Sequence, residues 1–311
     1  MKLSHTVRRL IFRLCLASLG AAAPAMAAAP ALTINDYTAR FLSFYADADK
    51  QALTPDQRWA LWQKEYGIAS VPPTPAGQAL ARKQLDTVWG QYAALLPRLP
   101  VLAKKARDEA DGVLQGVAAL LQASDQPVKV SLNLFVGQFD SNSFAYRDAA
   151  GVPQVFLEVE APNADLTMTH EFTHAVQEKL GDLKAGYAAP LGETLLLEGL
   201  AMRVTQHLHP EHPVSDYTLG ADWVKSCEAQ HLAIYKGILP YVATADASNT
   251  AKFTYGTGVT GLKDEVYCAG WALVGQLVAQ GHSYAELART PEAQIPEFVR
   301  GAMQEELDTK R

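Results

Sequence analysis

"THEFTHAVQE", residues 169–178, sets two histidines around a glutamate inside an otherwise apolar segment. His170 and His174 stand four apart on a stretch that opens with "NAD", residues 163–165, where Asn163 or Asp165 can cap the free N–H groups of a helix. Four residues advance a helix by about 6 Å and 400°, so the two imidazoles share nearly one face, one turn apart. Both can then reach a single tetrahedral Zn2+ at about 2.0–2.1 Å. Glu171 lies about 100° round from His170, beside such an ion rather than toward it, and is placed to take a proton from a water. The competing reading of the same letters is one exposed histidine, one histidine packed on the core, and a solvated Glu171.

The neighbouring segments favour the first reading. Upstream, "VKVSLNLFVGQF" (128–139) and "QVFLEVE" (154–160) alternate polar and apolar residues with the period of strands, separated by the turn-rich "RDAAGVP". They are expected to pair as antiparallel neighbours in a small sheet. Downstream, helices are expected over 165–181, 191–208, 216–239, 264–280 and 292–307. The second of these, "GETLLLEGLAMRVTQHL" (192–208), carries Glu198 in the middle of an apolar run, where an unpaired carboxylate is costly to bury. Glu198 is the third candidate metal ligand, with 23 residues between it and His174. Its bland alternative is an ion pair with Arg203. Glu193 competes as ligand, but at the helix start the dipole alone accounts for a carboxylate. Gly199 and Ala201 are small enough to let another backbone approach.

"HEFTH" followed by "LLLEGLA" resembles the gluzincin branch of zinc metallopeptidases, and more narrowly the bacterial predicted zinc-dependent proteases with HExxH and then EGLA. The similarity spans about residues 128–290, from "VSLNLFVG" through "YCAGWALVGQLVAQGHSYAELA". It implies a zincin-like fold, Zn2+ held by His170, His174 and Glu198, Glu171 as general base, and a peptide or protein substrate. It also implies that "QVFLEVE" is the edge strand along which an extended peptide could pair. Thermolysin-like members carry an Asp four residues after the ligand glutamate to orient a histidine, whereas this chain has Met202 there. That partner must come from elsewhere: Asp165, Asp182 or a backbone carbonyl. Donors for a developing oxyanion are sought among Tyr255, Tyr267, His231 and Arg203.

Before this region, residues 33–124 read as helical throughout. Thr33 is a possible cap, "TPDQRWALWQKEYG" has Thr54 as cap with Pro55 behind it and Gly67 after its end, "SVPPTPAG" (70–77) is a linker, and two further helices span 77–96 and 99–123. Residues 1–27 have the anatomy of a secretory signal: Lys2, Arg8, Arg9 and Arg13, an apolar run from Leu14 to Ala23, and "AMA" closing at Ala27. The expected organisation is therefore a signal peptide (1–27), an N-terminal helical lobe (28–124) and a zincin-like metallopeptidase domain (125–311). The mature chain is expected in the periplasm or secreted, with no membrane span and an oligomeric state that the sequence leaves open.

Removing the four basic residues of 1–27 leaves 23 Lys and Arg against 33 acids, a net charge of −10 that disfavours nucleic acid. Of three cysteines, Cys15 falls in the signal, and Cys227 with Cys268 is expected as a disulfide. "HLHPEHP" (207–213) reads as a solvated loop, and "TYGTGVTG" (254–261) as a flexible turn that could serve as a lid. The sequence thus supports an α+β, mostly helical protein with a small antiparallel sheet, acting as an exported zinc peptidase. The rival class is a zincin-like envelope binding or assembly protein that hydrolyses nothing.

Overall fold

The computed structural model describes residues 29–71, 74–139, 142–184 and 189–310, so the expected signal peptide (1–27) lies outside the described residues. The fold is α+β, with a four-stranded sheet beside a largely helical body. The first helices follow their sequence signals. Helix α2 (Pro55–Glu65) is capped by Thr54, whose side chain accepts from Gln57 N while the Gln57 side chain accepts from Thr54 N. Around it stand α1 (Thr38–Lys50), α3 (Pro75–Leu95) and α4 (Leu99–Leu120).

Two expectations fail at the sheet. Residues from Thr33 do not begin a helix: Ala31–Asp36 is strand β1, which pairs in parallel with β2 (Lys129–Phe135), Ile34 opposite Leu132. "ALTIND" alternates as a strand should, but its partner lies about a hundred residues on, so nothing local announces it. Helix α1 starts only at Thr38, whose N–H and hydroxyl both donate to Asp36 Oδ1. The second correction concerns pairing. Strand β4 (Pro153–Glu158) is indeed a neighbour of β2, but parallel to it. The "RDAAGVP" turn joins β4 instead to β3 (Phe144–Arg147), its antiparallel partner. Asp148 Oδ1 accepts from Ala150 N and Val152 N to shape that turn, so the chain must first cross outward from β2 before hairpinning back. The sheet order is β1-β2-β4-β3, which makes β1 and β3 the edges and puts "QVFLEVE" inside.

One sheet face carries Leu132, Leu134, Val155 and Leu157, all fully buried. Helices α4 and α5 (Ala164–Leu180) lie on this side, and Arg147 of β3 reaches Glu178 of α5 at 2.9 Å. The opposite face bears an amide row in which Asn35 donates to Asn133 and Asn133 to Gln154. Beyond α5 come α6 (Leu191–Leu208), α7 (Ala221–Ile238), the short α8 (Ala247–Thr250), α9 (Glu265–Ala279), α10 (Tyr284–Ala288) and α11 (Ile295–Thr309). The disulfide expected between Cys227 and Cys268 ties α7 to α9 with Cα atoms 5.5 Å apart. No described helix is long and apolar enough to cross a membrane.

Candidate metal centre

The site is assembled by α5, α6 and α9. Asn163 precedes α5 in left-handed backbone and does not cap it with its side chain, which donates instead to Asp216. Burial of Leu166, Phe172, Ala175, Val176 and Leu180 fixes the roll of α5 and turns His170 and His174 to one side. Helix α6 crosses α9 in backbone contact: a Cβ on Gly199 would stand 2.3 Å from Gly270 O, and one on Gly270 would stand 2.4 Å from Leu195 O. The small residues beside Glu198 thus serve as the sequence suggested. The crossing also brings α9, on which Tyr267 stands one turn before Gly270, against the helix that carries Glu198.

His170, His174 and Glu198 converge. The two Nε2 atoms are 3.0 Å apart, and Glu198 Oε2 lies 3.2 Å from His170 Nε2 and 3.6 Å from His174 Nε2. Ligands held about 2.0–2.1 Å from a tetrahedral centre stand about 3.3–3.4 Å from one another, so three lone-pair donors already have the spacing of a zinc site. Burial alone would push the Glu198 carboxyl up, but the two imidazoles hold it well below the usual carboxylate range. Burial would likewise push His174 down, yet Glu198 beside it raises its pKa to about 9. Glu171 is buried next to the pair. Its carboxyl is pushed up by desolvation, against the pull of His170 and His174.

The two acidic candidates for orienting a histidine are engaged by lysines instead. Asp182 pairs with Lys184 at 2.9 Å, and Asp165 lies 3.9 Å from Lys105. His174 Nδ1 is buried without a hydrogen-bond partner among the described residues. Glu193 is likewise not part of the cluster; buried at the start of α6, its carboxyl is raised to about 7 by desolvation and by Glu292 and Glu178. Nor does Arg203 pair with Glu198: its guanidinium stacks 3.4 Å from the Trp271 ring centroid and donates to Trp271 O and Gln206.

Of the four oxyanion-donor candidates, two feel the Glu198 charge, the partly buried Tyr267 and the exposed Tyr255. The Tyr267 phenol is raised above its usual pKa first by the Glu198 charge and then by burial, and Tyr255 is raised by burial and then by Glu198. His231 instead meets Glu306 at 3.3 Å. "HLHPEHP" is solvated as expected, with His207, Pro210, Glu211 and Pro213 exposed, but it is also pinned: His209 Nε2 meets Thr169 Oγ1 at 2.8 Å, and Tyr217 OH donates to the His212 carbonyl at 2.9 Å. "TYGTGVTG" is no free turn either, because it closes around the carboxylate of Glu265. That residue drew no attention in the sequence, where nothing distinguishes it from a first-turn acid.

Residues 150–297 of the chain match the family described as "Predicted Zn-dependent protease (DUF2268)". No curated protein and no solved structure matches the chain. The matched stretch contains His170, Glu171, His174, Glu198, Tyr255 and Tyr267, so what the chain is similar to, a zinc-dependent protease family, coincides with where its candidate ligands meet.

Proposed function

We propose that the protein is a zinc-dependent peptidase of gluzincin type, with His170, His174 and Glu198 as metal ligands and Glu171 as general base. The convergence of two imidazole nitrogens and one carboxylate oxygen at 3.0–3.6 Å carries the reading. Zinc bound by these donors would supply the Lewis acidity that makes an attacking water acidic near neutral pH. Glu171, desolvated and beside both histidines, takes the proton from that water and hands it to the departing amine. Tyr267 stays protonated beside Glu198 and donates a hydrogen bond to the oxygen on which charge develops. An extended substrate pairs with the open edge of β3 by main-chain hydrogen bonds.

The proposal includes export and action in the periplasm or outside the cell. It rests on the basic-then-apolar character of residues 1–27 and on the Cys227–Cys268 bridge, a bond that oxidising compartments sustain.

The decisive experiment compares wild type with Glu171→Gln for bound metal and for cleavage of a labelled casein. About one zinc per chain is expected in both, with turnover falling by about 100- to 10,000-fold in the variant. Wild type that binds zinc yet shows no chelator-sensitive cleavage would favour the binding-protein reading instead.

A further inference from the structure

Two tyrosines flank a loop built around a carboxylate. Asp264 N donates to Gly256 O at 2.9 Å, closing residues 256–264 into a ring. Glu265, the first residue of α9, is fully buried and turns back into that ring. Val259 N donates to both of its carboxylate oxygens at 2.9 Å, and Thr260 N and Oγ1 each donate to Oε1 at 2.6 Å. Gly258, at φ +54°, has no room for a side chain, since its Cβ would lie 1.9 Å from Glu265 Oε2. A buried charge met by three donors, two of them backbone amides, fixes the path of the backbone that supplies them.

The ring is also fastened from outside. Val259 packs on α7 at Gly237, where a Cβ would meet Val259 Cγ2 at 2.3 Å. Trp223 Nε1 donates to Lys263 O at 2.9 Å, and the disulfide holds Cys268. Tyr255 leaves the ring at one end and Tyr267 follows it at the other. The Gly199–Gly270 crossing brings α9, which carries Tyr267, into backbone contact with α6, which carries Glu198.

From this arrangement we infer that Glu265 is a positioning residue: as the core of the 256–264 ring, it holds Tyr255 and Tyr267 where they can grip the substrate carbonyl beside His170, His174 and Glu198. The inference rests on the peptidase reading. Glu265 touches no reacting atom and acts through the two phenols.

The test is a double-mutant cycle on the full mature chain with labelled casein, using wild type, Glu265→Gln, Tyr267→Phe and the double variant. Each single change is expected to lower kcat about 10- to 100-fold with KM little changed and about one zinc per chain retained. The double variant should lose less than the product of the two single losses, because Tyr267→Phe removes part of what Glu265→Gln removes. A second readout needs no activity: amide hydrogen exchange at Val259 and Thr260 should accelerate in Glu265→Gln and not in Tyr267→Phe. Multiplying losses, or accelerated exchange with kcat unchanged, would overturn the positioning role while leaving the peptidase reading intact. Wild type without chelator-sensitive cleavage would sink both. If Glu265→Gln does not fold, Thr260→Val removes only the hydroxyl donor and should give a smaller kcat loss in the same direction.

Discussion

As a proposed zinc ligand, His174 would have a proton and a metal competing for one position. With its pKa raised to about 9 by Glu198, the imidazole carries a proton at neutral pH in the metal-free protein. A ligating imidazole must be neutral, so binding displaces that proton. The sign follows directly: below about pH 9 the proton is present and opposes the metal, and above it the opposition vanishes. Calorimetry of zinc binding to metal-free protein at pH 7, in buffers of different ionisation enthalpy, should report release of about one proton, and affinity should weaken about tenfold per pH unit on lowering the pH. A proton count near zero would mean that Glu198 does not control His174. The meeting of His170, His174 and Glu198 was legible from "HEFTH" and "LLLEGLA", because helical spacing converts four residues into one shared face. The roles of Tyr255, Tyr267, His231 and Arg203 were not, since each depends on which helix its own helix crosses.

At the scale of elements, the α6–α9 crossing decides the site. Alanine in place of a mid-helix glycine ordinarily stabilises by about 1 kcal/mol. At Gly199 the added methyl would instead meet the Gly270 carbonyl at 2.3 Å, so the helices must separate. Overpacking of this kind costs about 1–3 kcal/mol. Gly199→Ala should therefore lower the urea midpoint and weaken zinc binding together, because Glu198 precedes the contact and moves with it. A raised midpoint would show that the backbones are not in contact. The long helices were readable from apolar periodicity, and α6 falls on its expected residues 191–208. The sheet was readable only in part. Strand β3 is four residues long, too short for its alternation to stand out, and without it β2 and β4 looked like a hairpin. The loop at 254–261 looked free because glycines signal turns, whereas the Glu265 side chain that organises it belongs to the following helix.

Across the whole molecule, the bonds that hold the site together span long stretches of chain. The Cys227–Cys268 bridge closes 41 residues, and restricting a loop of that length stabilises by about 4 kcal/mol in the loop-entropy picture. Cys227→Ser with Cys268→Ser should therefore lower thermal stability by a comparable amount, measured by denaturant unfolding, and should loosen the start of α9 that carries Tyr267. An unchanged midpoint would mean that the bridge is incidental. Strand β1 spans further still, with Asn35 bonded to Asn133, 98 residues away. During synthesis at about 5–20 residues per second, β1 would wait roughly 5–20 s for its partner while four helices are made between them. For that interval Leu32 and Ile34 have no sheet to cover them. Ahead of β2 the chain therefore carries an adhesive strand close behind its proposed signal peptide, and whatever escorts it must shield those few residues until β2 arrives.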